Sequence, residues 1–159
     1  MTPKMQPFWW FKKPAAPPVP TERIVDGGFE EGIAWVYYEA FRTDAEYHTG
    51  AWSCYFPVFT QPYVEQTLDI PVLGSSVISA SFYIFDNGSP YDSVFYLTLY
   101  YDDDTDESFK IQASKFNEWV IVDFLSYINT AKTLTKIRFR ALNEDVAWTY
   151  LIDDVSLMA

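Results

Sequence analysis

Short apolar stretches separated by polar turns run along the chain from residue 22 to its end. In residues 63–70, apolar or amide side chains at every second position alternate with Glu65, Thr67 and Asp69. This period of two is typical of a β-strand that buries one face. Comparable stretches lie at residues 23–25, 34–38, 51–59, 77–85, 93–101, 108–112, 119–124, 136–141 and 149–157. The pattern predicts an all-β fold, a two-sheet antiparallel β-sandwich, with one helical turn near residues 125–131.

Residues 1–21 differ from the rest of the chain, because they contain three lysines and no acidic residue. Prolines at positions 14, 17, 18 and 20 favour an extended, semi-rigid conformation. An aromatic cluster precedes these prolines and consists of Phe8, Trp9, Trp10 and Phe11. Four large side chains left in water would promote aggregation, so the cluster needs a partner. Two interpretations remain open: the arm folds back on its own domain, or it anchors the chain in another subunit. We therefore divide the chain into an extended N-terminal arm, residues 1–21, and a sandwich, residues 22–159.

The formal net charge of −11 disfavours nucleic acid as a partner, because phosphates would be repelled. No apolar run approaches the roughly 18 residues that a membrane-spanning helix requires. Residues 8–11 are too short for the apolar region of a signal peptide and are followed by Lys12 and Lys13. We therefore expect synthesis in the cytoplasm without classical secretion.

The chain has one cysteine and one histidine, which limits its possible chemistry. Cys54 lies in an apolar stretch, so we expect a buried, inert thiol. A single histidine, His48, disfavours a catalytic triad or a zinc centre. The acidic segment 102–107 forms the tip of a predicted hairpin. Carboxyl groups there are exposed to solvent, so burial cannot give two of them the different pKa values that a catalytic acid and base require. The sequence therefore favours a protein that is not an enzyme.

Two short motifs mark the start and the end of the sandwich region. Residues 25–32 read Val-Asp-Gly-Gly-Phe-Glu-Glu-Gly, and residues 150–157 read Tyr-Leu-Ile-Asp-Asp-Val-Ser-Leu. Between them come a small-residue turn at 48–53, a glutamine-containing strand at 64–68 and late strands at 118–122 and 134–139. This order resembles the galactose-binding-like jelly-roll domains, which include many carbohydrate-binding modules attached to xylanases and glucanases. The resemblance implies a jelly roll that serves as a binding or structural module, although the fold alone does not fix a function.

Many members of that family carry a structural calcium ion where the two ends of the domain meet. The resemblance places the ligands at Gly28, Glu30, Ala51 and Asp153, as two carboxylates and backbone oxygens. Such oxygen ligands suit a hard cation, and an ion there would hold both ends of the sandwich together. In the alternative interpretation, Asp153 accepts hydrogen bonds from the opening turn without any ion.

Members of the family bind sugars through aromatic side chains that stack on pyranose rings. The resemblance offers Trp35, Tyr91 and Trp148 as the residues for this role. Trp119 lies in an alternating strand and is expected in the core.

Together these features favour a non-catalytic structural or assembly protein, such as a virion surface (decoration) or appendage subunit anchored by its arm. The arm is basic and the sandwich is acidic, so docking onto a like neighbour is favoured and a homo-oligomer is expected. The alternative is a calcium-stabilised carbohydrate-binding module whose partners are glycans.

Overall fold

The computed structural model describes residues 19–57, 61–88, 94–142 and 149–159. Within these ranges, ten strands form two five-stranded antiparallel sheets, which confirms the predicted sandwich. The strands are β1 (Val36–Tyr38), β2 (Phe41–Thr43), β3 (Ser53–Phe56), β4 (Tyr63–Leu73), β5 (Ser79–Asp86), β6 (Val94–Tyr101), β7 (Asp106–Ile111), β8 (Trp119–Asp123), β9 (Thr133–Leu142) and β10 (Tyr150–Met158). Short 3-10 helices occupy Gly74–Ser76 and Leu125–Tyr127.

The first sheet has the strand order β1-β4-β9-β6-β7, and the second has the order β2-β3-β10-β5-β8. Large apolar side chains from their inner faces meet in one core. Phe82 of the second sheet lies edge-on to Phe139 of the first, with ring centroids 4.8 Å apart. Full burial of such a side chain stabilises the fold by about 1.5–3 kcal/mol. The alternation of each strand therefore decides which side chains reach the outer faces.

Strand β4 continues past the point where the sequence predicted its end. Pro71 lacks a backbone N–H, so a regular strand would stop before it. The pairing of β4 with β9 shifts register between Thr67 and Val72, and this irregularity accommodates the proline. As a result Ile70, expected on the buried face, is 61% exposed, whereas Val72 is buried.

Strand β2 lies between the predicted strands at 34–38 and 51–59, where the sequence pattern predicted no strand. Its residues pair with β3, with Phe41 opposite Tyr55 and Thr43 opposite Ser53. A three-residue edge strand is too short for an alternating pattern to reveal it.

The two ends of the sandwich lie side by side, as the paired motifs predicted. The N–H of Thr21 donates to the carbonyl of Ala159 over 2.8 Å, and the N–H of Ala159 donates back over 3.1 Å. Residues 23–25 were expected as a strand, but the pairing here is the isolated bridge between Glu22 and Met158.

The opening turn touches the last strand so closely that one of its positions requires glycine. The N–H of Val155 donates to the carbonyl of Gly27 over 3.0 Å. A Cβ atom added to Gly27 would lie 2.0 Å from the carbonyl oxygen of Val155. The double glycine of the first motif therefore allows the two ends to meet.

Residues 1–18, with Phe8, Trp9, Trp10 and Phe11, lie outside the described residues, so docking of the arm stays a prediction. In the part of the chain that the structure describes, no helix is long and apolar enough to cross a membrane.

Candidate functional site

The outer face of the first sheet carries tyrosines and basic side chains in register. Across β4, β9 and β6, the opposite residues are Tyr63, Arg140 and Tyr96 in one row. The next row contains Glu65, Arg138 and Thr98, and the third contains Thr67, Lys136 and Tyr100. We call this surface the tyrosine–arginine face, and it comprises Tyr38, Tyr63, Glu65, Thr67, Tyr96, Thr98, Tyr100, Lys136, Arg138 and Arg140.

The period of the strands explains why these residues share one face. In β9, Ile137, Phe139 and Ala141 are fully buried. Lys136, Arg138 and Arg140 alternate with them and therefore project outwards.

Arg138 is the best-fixed side chain of the tyrosine–arginine face. Its Nε and Nη2 atoms donate to one oxygen of Glu65 over 2.7 and 2.6 Å. Its guanidinium carbon also lies 4.5 Å from the ring centroid of Tyr63 and 5.2 Å from that of Tyr100. Charge-assisted hydrogen bonds and cation–π contacts together hold the group in place before any ligand arrives.

A cleft of about 390 Å³ opens at the β1 side of this face. Its aromatic wall is formed by Tyr38 and Tyr63, whose rings stack with centroids 5.0 Å apart and an angle of 12° between planes. The remaining lining residues are Glu39, Gln61, Arg138 and Arg140. The volume lies within the usual range for small-molecule sites.

This arrangement combines flat aromatic surfaces with fixed hydrogen-bonding groups. Tyr38 is 51% exposed, so its ring is available to a ligand. Burial raises the pKa of Tyr100 above its ordinary value of 10.0, which itself lies far above neutral pH, so the hydroxyl group is protonated there. Guanidinium, amide and carboxylate groups can donate to and accept from hydroxyl groups of a bound molecule. The cleft is therefore suited to a ligand with apolar ring faces and polar edges.

A second group of residues lies where the ends of the sandwich meet. The N–H groups of Ala51 and Trp52 donate to Oε1 of Glu30 over 2.9 and 3.1 Å. A Cβ atom added to Gly50 would lie 2.0 Å from that same oxygen, and its φ is +68°. A glycine is needed there so that the loop can wrap around the carboxylate.

Asp153 is fully buried in this group. Its Oδ2 atom accepts hydrogen bonds from the backbone N–H groups of His48 and Thr49 over 2.8 and 3.1 Å. Burial raises the pKa of Asp153 to about 6, although these hydrogen bonds act to lower it. The next residue, Asp154, lies 2.7 Å from Nδ1 of His48.

The four residues that the resemblance assigned to calcium therefore lie together. A Cβ atom added to Gly28 would have Oδ1 of Asp154 at 3.5 Å, Cγ of Glu30 at 3.7 Å and Oδ1 of Asp153 at 3.8 Å. The absent side chain leaves a space bordered by carboxylate oxygens, which are the ligands of a hard cation. Among the described residues no group of three or more His, Cys, Asp or Glu side chains is placed to hold a metal. The residues fit calcium only if backbone or water oxygens complete the shell.

The second sheet carries a separate cleft of about 420 Å³ on its outer face. Its apolar wall includes Phe41, Tyr55, Phe85 and Leu151, and Glu46 lies at the cleft as well. Phe41 is 50% exposed.

No protein-family model matches the chain, and no curated protein matches it either. Solved structures do match it. One is TmCBM61 in complex with β-1,4-galactotriose, at 15% identity and a TM-score of 0.58, covering 86% of this chain and 97% of that one. Another is the CBM22-1 xylan-binding domain of Paenibacillus barcinonensis Xyn10C, at 15% identity and a TM-score of 0.58, covering 89% and 96%. The chain has the jelly-roll fold of carbohydrate-binding modules.

The carbohydrate-binding-module fold also matches part of a larger viral protein. The enzymatically active domain of bacteriophage CBA120 tailspike protein 4 is similar at 10% identity and a TM-score of 0.59. The match covers 86% of this chain but only 21% of that one.

Within this carbohydrate-binding-module fold, Trp35 is not a surface residue, which corrects its assignment as a sugar-stacking side chain. It is 6% exposed, and its indole N–H donates to the carbonyl of Asp26 over 2.9 Å. Its ring lies 5.1 Å from that of Phe29. Alternation places Trp35 on the side opposite Val36 and Tyr38, and therefore towards the core. Tyr91 and Trp148, the other two candidates, lie outside the described residues.

The expectation that Trp119 belongs to the core was also wrong, because the core-facing side of β8 is the one opposite to Trp119. Val120 and Val122 pack against the core. Trp119 is only partly buried, and its indole N–H donates to Glu46 over 3.2 Å.

The tyrosine–arginine face was not predicted from the sequence, although a signal for it exists. Residues 136–140 read Lys-Ile-Arg-Phe-Arg, and residues 96–100 read Tyr-Leu-Thr-Leu-Tyr. Each segment places large polar or aromatic side chains on the face opposite its apolar residues. The register that brings the two segments together depends on pairing between distant strands, which the sequence pattern does not specify.

Proposed function

We propose that the chain is a non-catalytic carbohydrate-binding module that holds its glycan on the tyrosine–arginine face. The observation that carries the proposal is the stacked pair Tyr38–Tyr63 beside Arg138, which Glu65 fixes in place. The half-exposed ring of Tyr38, which packs against Tyr63, offers an aromatic surface for a pyranose ring, and the charged groups offer hydrogen bonds to its hydroxyl groups. Solved structures of similar fold include a galactotriose complex and a xylan-binding domain, which supports the proposal.

The test is a binding survey with full-length protein. Affinity electrophoresis through gels that contain galactan, xylan, mixed-linked glucan or polygalacturonate should retard the wild-type protein in at least one of them. Tyr63→Ala should abolish the retardation while circular dichroism stays unchanged. Tyr47→Ala serves as a control, because Tyr47 is a 44% exposed tyrosine that does not line the cleft. Equal retardation of the two variants, or none of the wild type in any gel, would contradict the proposal.

A structural calcium ion is the second part of the proposal. Glu30 and Asp153 would provide its carboxylate oxygens, and backbone oxygens near Gly28 and Ala51 would complete the shell. The support is the space beside Gly28 and the full burial of Asp153, whose negative charge a cation would compensate. When bound, the ion links the opening turn to the last strand and so stabilises the closed sandwich.

Assembly through the arm is a second candidate function, and the cleft of the second sheet favours it. We propose that this cleft receives the aromatic cluster, Phe8, Trp9, Trp10 and Phe11, from a second copy of the chain. The cleft presents apolar side chains, including the half-exposed Phe41, and an acidic residue, Glu46. Lys12 and Lys13 directly follow the cluster, so the charges are complementary. Incorporation into a virus particle would be one setting for such an assembly, and the similarity to a tailspike domain agrees with it.

A further inference from the structure

The tyrosine–arginine face is basic on an otherwise acidic protein. Three of the eleven lysines and arginines of the chain stand side by side on β9, as Lys136, Arg138 and Arg140. Lys110 of β7 extends the row of Arg140, because it lies opposite Tyr96. The net charge of the whole chain is −11, so this concentration of cations is not an average property of the surface.

The carboxylates on the face neutralise only part of this charge. Glu65 lies 2.6 Å from Arg138 and 3.4 Å from Lys136, so one carboxylate serves two cations. Asp106 lies opposite Tyr100, at the far edge of the third row, and Glu39 lies at the cleft rim. Four cations therefore share the surface with three acidic residues.

Among the described cations of this face, Arg140 and Lys110 form no ion pair with a carboxylate, unlike Lys136 and Arg138. Arg140 lines the cleft, and its guanidinium carbon lies 5.7 Å from the ring centroid of Tyr96. Lys110 is exposed. A row of Tyr63, Arg140, Tyr96 and Lys110 thus alternates aromatic rings with cations that are free to pair.

We propose that this row binds an anionic polysaccharide, one whose pyranose rings carry carboxylate or sulfate groups. The inference rests on the proposed glycan-binding function and adds the class of sugar. The rings of the sugar stack on the tyrosines, and Arg140 pairs with an acidic group through two parallel N–H donors, which suit carboxylate and sulfate geometry. Lys110 pairs with the acidic group of a neighbouring sugar as a compact charge. Acidic residues more than about 8 Å from this row oppose the binding only weakly, because charges at that separation are largely screened at physiological ionic strength. Glu39 lines the same cleft as Arg140 and is the acidic residue that opposes the binding most directly.

The experiment compares a charged polysaccharide with its neutral methyl ester, which has the same sugar backbone. Isothermal titration of full-length protein with polygalacturonate and with its methyl ester should give at least tenfold tighter binding to the free acid. Arg140→Gln should remove most of that difference, because the affinity for the free acid should fall far more than the affinity for the ester. Arg140→Lys, which retains the charge, should keep part of the difference. Lys115→Gln is the control, because Lys115 is exposed and paired with Glu118 away from this face. A sulfated galactan and its desulfated form provide the same comparison for sulfate.

The outcomes separate this inference from the function on which it rests. Equal binding of acid and ester, or equal loss of both in Arg140→Gln, overturns the anionic specificity while glycan binding stands. Binding of a single-stranded oligonucleotide in preference to every acidic polysaccharide also overturns it. If no polysaccharide binds, charged or neutral, both the inference and the proposed function fail.

Discussion

The side-chain amide of Gln66 forms two hydrogen bonds with the backbone of Val25. The N–H of Val25 donates to Oε1 over 2.9 Å, and Nε2 donates to the carbonyl of Val25 over 2.7 Å. Gln66 is 2% exposed, so its side-chain amide forms these hydrogen bonds away from water. One buried side chain of β4 therefore fastens the opening segment in the way a neighbouring strand would.

Replacing Gln66 with leucine should lower the free energy of unfolding by about 3 kcal/mol. The change removes two hydrogen bonds and leaves a backbone donor and an acceptor without partners, each at a cost of about 1–3 kcal/mol. Urea unfolding followed by tryptophan fluorescence measures the effect. Gln112→Leu is the matched control at an exposed position and should change stability by less than about 0.5 kcal/mol. Similar small losses in both variants would show that the opening segment is not held by this amide.

Tyr38 and Phe41 provide a matched pair for testing which sheet binds glycans. Their exposed fractions are 51% and 50%, and they lie on edge strands of opposite sheets. Tyr38→Ala should weaken polysaccharide binding about tenfold, since burying an aromatic side chain against a ligand contributes on the order of 1.5 kcal/mol. Phe41→Ala should leave it unchanged. The reverse result in affinity electrophoresis would move the binding site to the second sheet.

Calcium should raise the thermal stability of the protein, and the increase should grow with the logarithm of its concentration above the dissociation constant. An ion that binds only the folded state stabilises it by about 2.7 kcal/mol at a hundredfold excess over the dissociation constant. Calorimetric scans in chelator and in millimolar calcium should therefore differ for the wild type. Asp153→Asn should lose the difference, whereas Asp69→Asn, a change at an exposed carboxylate, should retain it. Identical scans of the wild type in the two buffers would contradict the calcium proposal.

In chelator, stability should fall as the pH rises from about 4 to 7. The pKa of Asp153 is about 6 in the folded protein, above its ordinary value of 3.8, so the folded state binds the proton more tightly. The stabilisation is complete below pH 4 and is lost as the pH passes through 6, by about 3 kcal/mol in total. Urea unfolding at a series of pH values measures this slope. Asp153→Asn should flatten it, and an unchanged slope in that variant would assign the effect to another group.

Removing the arm should abolish assembly without unfolding the sandwich. A deletion of residues 1–18 keeps the hydrogen bonds between Thr21 and Ala159, so the folded body should persist. Analytical ultracentrifugation should show an oligomer for the full-length chain and a monomer for the deletion. The full-length double variant Trp9→Ser, Trp10→Ser should behave like the deletion, because it removes apolar contacts but keeps the lysines. A monomeric wild-type protein, or a deletion variant that unfolds, would indicate that the arm packs against its own sandwich and not against a second chain.

The alternating pattern predicted the sandwich and most strand positions because burial of one face imposes a period of two. The pairing of the two ends followed from the two motifs. The burial of Cys54 was also confirmed, since its side chain is 0% exposed and burial raises the pKa of its thiol.

The candidate glycan surface could not be predicted in the same way. Trp35 and Trp119 were each assigned to the wrong side, because alternation gives two faces without saying which one meets the core. The tyrosine–arginine face depends on which strands become neighbours in space. Tyr63 and Arg138 are distant in sequence, and only the pairing of β4 with β9 brings them into contact.

The hydrogen-bonded pair Thr21–Ala159 places the entry and the exit of the folded body at a single point of its surface. Opposite residues on paired antiparallel strands have Cα atoms about 5 Å apart, a gap that the two ends of a tight hairpin loop in another protein also span. The body can therefore be grafted into such a loop, with the host chain running in at residue 21 and out at residue 159, and neither fold has to open. Such a graft would present the sandwich as an inserted domain on an unrelated scaffold protein, which makes it useful for protein engineering.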